Sequence, residues 1–471
     1  RIKSFENASN TPEMVIADLA SAEILLKEFP DLFIPYFDEA FAASTEMITA
    51  RIMKVLPPIS VLVSATLAYA EEIPTILGSF KNNHHLDNND FIYYIKNDVQ
   101  QINCDFINPE GNIITPHHLV SNVTELEKFT LQLNKYPIIQ RGYSNKIVYE
   151  MYQKLKDILP DELLLKNKFA YLGSLTNKNL RNYGIELIHF ISNSKNEEYF
   201  ELIKEIEIKL IEDNSLENMI THNSYFYSTK NTLHVTNNSD NFLNYVTMLT
   251  KDLLEGSPKL KNLISDYEKE TTLYNKKIES YEKSNKDDCN LEEINFCKEN
   301  LSKLKIKYSE EFIWNSFTYL KKYKTCNKVT NYNKPLFNFD IISNLDDISA
   351  KLFMSHIGLY NQNNMTLYEM DVFLQYKDIF KFIMSDPSII FGTNINLTLV
   401  DINENMASIL TRNKMYQMIG RAGRIGKSSS ASVIFRSWDL FKIIIEDNDV
   451  NVEAQEIEDN LLKIIELENT D

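Results

Sequence analysis

The most informative stretch of the chain is Gln-Met-Ile-Gly-Arg-Ala-Gly-Arg, at residues 417–424. The whole chain contains only 11 glycines, and two of them, Gly420 and Gly423, lie in this stretch. Glycine lets a backbone approach a ligand closely, and the planar guanidinium groups of Arg421 and Arg424 match the shape of a phosphate. The stretch therefore predicts a phosphate-binding segment, with a glycine-rich turn bearing solvated arginines as the alternative.

The size and composition of the chain predict a globular protein with more than one domain. At 471 residues the chain is too long for a single hydrophobic core, and its hydrophobic content of 44% is ample for packing. The formal net charge is −17, so most of the surface repels polyanions. Any nucleic-acid binding is therefore expected in a local basic groove.

The cysteines, histidines and apolar runs point to no disulfide framework, structural metal or membrane span. The four cysteines form no Cys-x-x-Cys pair, which predicts reduced, intracellular thiols. The pairs His84-His85 and His117-His118 have no partners at ligand spacing. The longest uncharged run, residues 55–70, contains two prolines and is too short to cross a bilayer.

Two short apolar runs near the start of the chain predict buried parallel strands. One run precedes Asp38 and Glu39, and the other, residues 61–63, precedes Ser64, Ala65 and Thr66. Continuous apolar runs of this length are typical of a parallel sheet that is covered on both faces. Since open α/β sheets bind ligands at the carboxyl ends of their strands, these polar residues are candidates for a site.

The remaining pattern predicts an α/β protein with large helical insertions. Between residues 260 and 308, apolar and tyrosine residues alternate at spacings of four and three, which predicts two antiparallel helices. We expect residues 1–90 to form the end of a first domain, 91–222 a mostly helical insertion, 223–440 a second domain with a helical hairpin at 257–315, and 441–471 a helical acidic tail.

Three features together suggest chemistry on a phosphate. An acidic pair at a strand end, such as Asp38 and Glu39, can hold Mg²⁺ through water and polarise an attacking water molecule. Arginines from elsewhere in the chain can neutralise charge on a transferring phosphoryl group. Each feature alone is weak, since most isolated Asp-Glu pairs are solvated turns. Their order along the chain, with Ser64-Ala65-Thr66 between them, makes the set specific.

With these residues the chain resembles the superfamily 2 helicases, the DExD/H-box group of nucleic-acid-dependent ATPases. Residues 37–41, Phe-Asp-Glu-Ala-Phe, are similar to the Walker B motif, and Ser64-Ala65-Thr66 to the motif that couples nucleotide state to domain closure. Residues 11–13, Thr-Pro-Glu, resemble a strand-phosphate motif, and 417–424 match the motif of the arginine fingers. Residues 355–359, Ser-His-Ile-Gly-Leu, are similar to a segment of the Ski2-like members, and residues 385–394 resemble the motif that contacts both nucleic acid and nucleotide. The resemblance covers about residues 10–75 and 350–440.

The resemblance implies two RecA-like parallel-sheet domains, the first of them incomplete. It implies ATP and Mg²⁺ as ligands and single-stranded RNA or DNA as partner. The implied catalytic residues are Asp38, Glu39, Gln417, Arg421 and Arg424. The implied nucleotide-binding residues are Asp38, which also holds Mg²⁺ through water, Gly392, Asn394 and Gly420. The residues implied in nucleic-acid binding or coupling are Thr11, Pro12, Glu13, Ser64, Thr66, His356, Gly358 and Thr393.

The chain departs from this family in three places. It contains no Gly-x-x-x-x-Gly-Lys-Ser/Thr loop, which in the family precedes the Thr-Pro-Glu motif and holds the phosphates. Because the sequence begins at Arg1 without Met, we expect truncation rather than loss of this loop. Phe41 replaces an Asp or His of the family. The segment at 385–394 lacks the usual Thr, and Asn396 stands in place of a Pro.

The leading interpretation is an ATP-dependent helicase or translocase with an intracellular location, cytoplasmic or nuclear, and with a viral origin left open. It predicts that Glu39 activates water and that Arg421 and Arg424 stabilise the transition state. The alternative is a degenerate helicase-like protein that binds nucleic acid or a protein partner through its helical insertions. A third interpretation is an unrelated α/β protein in which Asp38, Ser64 and Arg421 do not face one cleft. The sequence does not show whether the nucleic-acid partner is RNA or DNA.

Overall fold

The structure of the protein is a computed structural model. It describes residues 14–64, 66–87, 91–95, 102–210, 231–237, 258–283, 289–312, 345, 353, 357–361, 364–390, 394–423, 426, 428–446 and 450–470. Seven residues of the predicted site lie outside these ranges: Thr11, Pro12, Glu13, His356, Gly392, Thr393 and Arg424.

Helices and strands alternate in the first half of the chain. In chain order they are α1 (Leu19–Glu28), β1 (Tyr36–Asp38), α2 (Met47–Lys54), β2 (Val61–Val63), α3 (Pro74–His84), β3 (Cys104–Ile107), β4 (Asn112–Ile114), α4 (Val123–Lys135), α5 (Pro137–Gln140), α6 (Asn145–Leu155), α7 (Leu165–Lys168), α8 (Asn177–Ser194), α9 (Glu197–Lys204) and β5 (Glu207–Lys209).

The described elements of the second half continue the alternation. They are β6 (Thr232–Val235), α10 (Pro258–Lys283), α11 (Cys289–Phe312), β7 (Ile357–Tyr360), α12 (Leu367–Tyr376), β8 (Phe382–Ser385), β9 (Leu399–Ile402), α13 (Arg412–Arg421), β10 (Ala431–Phe435), α14 (Trp438–Ile445) and α15 (Val452–Thr470). The α/β class predicted from the sequence is confirmed.

The chain divides into two compact units that do not follow its linear order. Unit 1 consists of Arg1–Gln100, Ile409–Gly420 and Lys442–Asp471, and unit 2 consists of Gln101–Ser408 and Arg421–Phe441. Unit 1 therefore combines the start of the chain with two segments from near its end. The domain ranges expected from the sequence, which follow the chain without such returns, stay predictions.

The sheet of unit 1 is a parallel pair of short strands. β1 pairs with β2, with Tyr36 opposite Val61 and Asp38 opposite Val63. Parallel pairing places both carboxyl ends, and the polar residues that follow them, at the same edge. The prediction that these two strands are buried is wrong, because Tyr36, Asp38 and Val61 are exposed and the other residues of β1 and β2 are half-buried.

The hydrophobic core of unit 1 depends on the last helix of the chain. In α15, Ala454, Ile457, Leu461 and Ile464 recur at spacings of three and four, so they share one face of the helix. That face packs with residues of the early segments, namely Ala40, Phe41, Ala50, Met53, Leu56, Ala68, Ile73 and Ile76. Residues 452–470 are thus an integral helix of unit 1, which their acidic composition did not indicate.

Polar contacts fix α15 against the same segments. The Glu458 carboxylate accepts hydrogen bonds from the backbone N–H groups of Thr75 at 2.7 Å and Ile76 at 2.9 Å, at the N-terminus of α3. These donors have no partner within their own helix, and a carboxylate at this end is also favoured by the helix dipole. Asn460 donates to the Ser44 carbonyl at 3.3 Å. The loop after β1 is thereby held in place.

The centre of unit 2 is an eight-stranded sheet in the order β5-β4-β3-β10-β9-β6-β8-β7. The strands from β3 to β7 in this order pair in parallel, and β4 and β5 add an antiparallel edge. Buried apolar side chains fill the central strands, as expected for a parallel sheet covered by helices.

Strands β3, β4 and β5 lie inside the stretch expected to be a mostly helical insertion. β3 and β4 form a hairpin whose turn is closed by Gly111, with φ of 84°, donating to the Asn108 carbonyl at 3.0 Å. The sequence interpretation did not include these strands. Each strand has only three or four residues, which is too short for a clear period of two.

Helices α10 and α11 contact each other and occupy the range for which the sequence predicts a helical hairpin. The buried side chains on α11 include Cys297 and Leu304. Among the described residues, no helix combines the length and the hydropathy needed to cross a bilayer.

We predict that Glu458→Ala lowers the free energy of unfolding of unit 1 by about 2 kcal/mol, because two N–H groups at the start of α3 lose their acceptor. The free energy of unfolding of unit 1 is measured by urea denaturation, with hydrogen exchange of peptides from α2 and α3 as the signal. Asp459→Ala is the matched control, because Asp459 is exposed on the same helix and its loss should cost less than about 0.5 kcal/mol. Equal effects of the two substitutions would contradict the capping role.

Candidate functional site

The acidic pair lies where β1 ends, in an unusual backbone conformation. Asp38 is the last residue of β1 and is exposed, and Glu39 follows with φ of 53°. The other described non-glycine residues with positive φ, His85 and Lys195, end helices, where this conformation is common. Glu39 ends a strand instead, so its conformation costs about 1–3 kcal/mol that the surrounding contacts must offset.

The contacts that fix this turn come first from β2. The Ala40 N–H donates to the Val63 carbonyl at 3.2 Å, which continues the pairing of the two strands beyond Glu39. Ser64, the residue after β2, donates its hydroxyl to Glu39 Oε2 at 2.9 Å. Ser64 Oγ also accepts the backbone N–H of Thr66 at 3.2 Å, and this turn brings the Thr66 hydroxyl beside it.

Gln417 on α13 also contacts the turn that contains Glu39. Its Nε2 donates to Glu39 Oε2 at 3.1 Å and to Thr66 Oγ1 at 3.1 Å. Because an ionised carboxylate only accepts hydrogen bonds, the amide nitrogen rather than the oxygen must face Glu39. The side chains of Glu39, Ser64, Thr66 and Gln417, called the Glu39 cluster below, thus form one hydrogen-bonded group inside unit 1.

Helix α13 holds Gln417 in this position by contacts within unit 1. Thr411 accepts the Lys414 N–H at 3.2 Å at the start of the helix, and its hydroxyl donates to Glu453. Asn413 Nδ2 donates to Glu453 Oε2 at 2.8 Å, and Tyr416 donates to the Ile444 carbonyl at 3.1 Å. The part of the helix that precedes Gln417 is therefore bonded to α14 and α15.

One polar atom of the cluster has no partner among the described residues. Gln417 Oε1 is buried, and no donor in the described part of the chain lies within hydrogen-bond distance. A buried acceptor left in this state costs about 1–3 kcal/mol. Such an atom is a natural partner for a donor that is supplied by a bound molecule or water.

The structure places the remaining predicted residues as follows. Gly420 is exposed near the end of α13, and Arg421 is its last residue and half-buried. The division between the units falls between these two residues. Asn394 is exposed in the segment before β9. Gly358 is buried in β7, where an added Cβ would lie 2.8 Å from ring atoms of Phe373 and Phe380, so packing alone accounts for the glycine.

A buried charged network in unit 2 was not predicted from the sequence. His234 on β6 lies opposite Asp401 on β9, with Nδ1 2.7 Å from Oδ2, and Arg436 Nε donates to Asp401 Oδ1 at 2.7 Å. Burial alone would raise the pKa of Asp401, but the hydrogen bond and charge of His234 and the charge of Arg436 outweigh it, so the pKa is lowered. No local pattern indicates these partners, because His234 and Asp401 lie on different strands and Arg436 follows a third strand, β10.

Comparisons with known proteins add no family to these observations. No family model matches the chain, and no curated protein matches it. Functional inference therefore depends on the geometry of the site and on the chemistry of its residues.

We predict that Asp401→Asn lowers the free energy of unfolding of unit 2 by about 3 kcal/mol at neutral pH, because the buried His234 imidazole and the partly buried Arg436 guanidinium lose their shared carboxylate. Since the pKa of Asp401 is lowered in the folded state, its contribution is complete above about pH 4 and is lost as pH falls through the folded value. The difference between wild type and variant should therefore shrink in acid.

Urea denaturation at several pH values measures this difference. Asp378→Asn serves as control, since Asp378 is exposed in unit 2. A destabilisation by Asp401→Asn that stays constant from neutral pH to strong acid would contradict the prediction.

Proposed function

We propose that this chain contains the hydrolytic site of an ATP-dependent nucleic-acid helicase or translocase. The observation that carries the proposal is the hydrogen bond from Gln417 to Glu39, between residues 378 positions apart in the sequence. One of them belongs to the Asp-Glu pair and the other to the glycine-arginine stretch. The resemblance assigns these two motifs to a single reaction.

Glu39 is proposed as the general base that takes a proton from the attacking water. Hydrogen bonds from Ser64 and Gln417 orient its carboxylate, and a base must be held in a fixed direction to reach the proton it removes. The positive φ of Glu39 adds a further observation, since strained backbone is concentrated at functional sites.

Asp38 is proposed as the residue that holds Mg²⁺ through water. Its carboxylate is exposed at the end of β1, and Mg²⁺ typically keeps several waters and uses one or two carboxylates together with substrate phosphates. Among the described residues, no three of His, Cys, Asp or Glu form a closed metal site, and this kind of binding does not need one. When bound, Mg²⁺ would supply positive charge to the phosphate oxygens.

The other roles in the proposal come from the resemblance. Arg421 and Arg424 are proposed to stabilise charge on the transferring phosphoryl group. The two units are proposed as RecA-like domains, which the parallel pair β1–β2 and the long parallel run of unit 2 support. Single-stranded RNA or DNA is the proposed partner, and the helical insertions are the proposed surface for a protein partner. We place the protein inside the cell.

A phosphate-binding loop is required for turnover and does not occur in the 471 residues. The proposal therefore applies to a protein that contains these 471 residues together with such a loop, called the complete protein below. Exposed apolar residues on the unit 1 sheet, such as Tyr36 and Val61, are compatible with further strands beside β1 and β2.

Phe41 favours a second candidate function, the binding of nucleic acid without hydrolysis. Phe41 is 5% exposed and packs in the core of unit 1, at the position where the family has a polar residue. A polar link from that position is therefore replaced by an apolar contact. A protein that has lost such links can retain binding while it no longer couples binding to turnover.

The test is ATP hydrolysis by the complete protein, measured with and without single-stranded RNA or DNA. We predict stimulated hydrolysis that Glu39→Gln lowers by about 10²- to 10⁴-fold, because the amide cannot accept the proton. Arg421→Ala should lower it by about 10³-fold. Glu46→Gln is the matched control, because Glu46 is an exposed residue of the same loop and should leave the rate unchanged.

Absence of hydrolysis in the complete wild-type protein would refute the hydrolytic function. Nucleic-acid binding that persists in that case would select the second candidate. Full multiple-turnover activity of the Glu39→Gln variant would remove Glu39 from the role of base.

A further inference from the structure

Arg141 is a buried arginine in unit 2, directly after α5. Its side chain is 2% exposed. Its Nε donates to the Ile102 carbonyl at 2.8 Å, and its Nη2 donates to the carbonyl of Ala422, which lies 281 positions away in the sequence. Ala422 directly follows Arg421 in the glycine-arginine stretch.

The guanidinium stays charged although it is buried. Burial lowers the pKa of Arg141, but an arginine starts so high that it remains protonated at physiological pH. Burial also raises the pKa of the neighbouring Cys104 to about 12, so that the thiol is neutral and supplies no counter-charge. Backbone carbonyls such as that of Ala422 therefore carry part of the compensation for this charge.

Two further contacts hold the same backbone segment. The Gly423 N–H donates to the Leu397 carbonyl at 2.7 Å, and Ala422 forms a parallel bridge with Leu397. Ala422 is fully buried. The segment is thus bonded on one side to the approach of β9 and on the other side to Arg141.

Gly423 makes this arrangement possible. Its φ is 73°, and an added Cβ would lie 2.8 Å from the Cβ of Ala431 at the start of β10. Both the conformation and the space exclude a side chain there. The same added Cβ would lie 3.6 Å from Nη2 of Arg141, so the guanidinium also bounds this space.

We propose that Arg141 is a positioning residue that fixes the backbone of Ala422 and Gly423 and so sets the point from which the Arg421 side chain extends. This inference rests on the proposed function, because it gives Arg141 a part in phosphoryl transfer. Arg141 itself touches no substrate in this account. A transition-state arginine is effective only when its backbone is held, since a displacement of about 1 Å can cost 10²-fold in rate.

The test compares Arg141→Met with Arg141→Lys and with the control Arg181→Met in the complete protein. Arg181 is also largely buried in unit 2, and its Nη1 donates to Asn103 Oδ1 at 3.3 Å. Arg141→Met removes the donors and keeps the length of the side chain, whereas Arg141→Lys keeps the charge and serves if the Met variant does not fold. The control reports the cost of losing a second buried guanidinium close to Arg141, since burial and the nearby charge of Arg141 lower the pKa of Arg181.

The first measurement is amide hydrogen exchange of peptides that cover residues 418–426, which needs no catalytic activity. We expect exchange at the Gly423 amide to rise by about 10-fold or more in both Arg141 variants and to stay near wild type in Arg181→Met. Unchanged exchange in the Arg141 variants would overturn the proposal, whether or not the protein hydrolyses ATP.

The second measurement is the kinetics of ATP hydrolysis at a temperature where all variants are folded. We expect Arg141→Met to lower kcat by about 100-fold with little change in KM, and Arg141→Lys to recover part of the loss. Arg181→Met should retain kcat. Equal losses in the Arg141 and Arg181 variants would reduce Arg141 to a structural residue and overturn its positioning role.

If the complete wild-type protein hydrolyses no ATP, the proposed function fails, and so does the catalytic part of this inference. The exchange measurement then still decides whether Arg141 holds the segment. The two failures are therefore distinguishable.

Discussion

The hydrogen bond between Gln417 and Glu39 is the contact on which the candidate site depends. It joins the turn after β1 to a helix that enters unit 1 from near the end of the chain. Ser64 shares the same carboxylate oxygen, and Thr66 shares the same amide. Glu39 holds a backbone conformation that costs free energy, and this set of donors is what offsets the cost. Loss of any member therefore affects the direction of the carboxylate as well as a local contact.

Unit 1 can hold this arrangement only because its last segments return to its first. The apolar face of α15 fills the core beneath the loop that follows β1, and Glu458 accepts the N–H groups at the start of α3. Glu453 binds the start of α13, which carries Gln417. Apolar and acidic residues that are distant in sequence from Glu39 thus form part of the scaffold of the site. In unit 2, contacts between residues distant in sequence also hold the rest of the glycine-arginine stretch. Arg141 donates to the Ala422 carbonyl, and the Leu397 carbonyl accepts the Gly423 N–H.

The sequence was sufficient to predict features that depend on a local pattern of residues. The apolar runs before Asp38 and Ser64 predicted strands, and these strands pair in parallel. Features that depend on contacts between residues distant in sequence could not be predicted in this way. The apolar residues of α15 are separated by acidic ones, β3 to β5 are too short to show a period, and His234, Asp401 and Arg436 meet only across a folded sheet. Arg141 is one charged residue in an ordinary context, and nothing local connects it with Ala422.

The central claim is that Glu39 and Gln417 act as one unit in ATP hydrolysis. A double-mutant cycle in the complete protein, with Glu39→Ala, Gln417→Ala and the double variant, tests it through kcat/KM. Residues in direct contact that share one function lose activity non-additively, so the double variant should be about as slow as the slower single variant. Losses that add fully, leaving a coupling free energy below about 0.5 kcal/mol, would contradict the account.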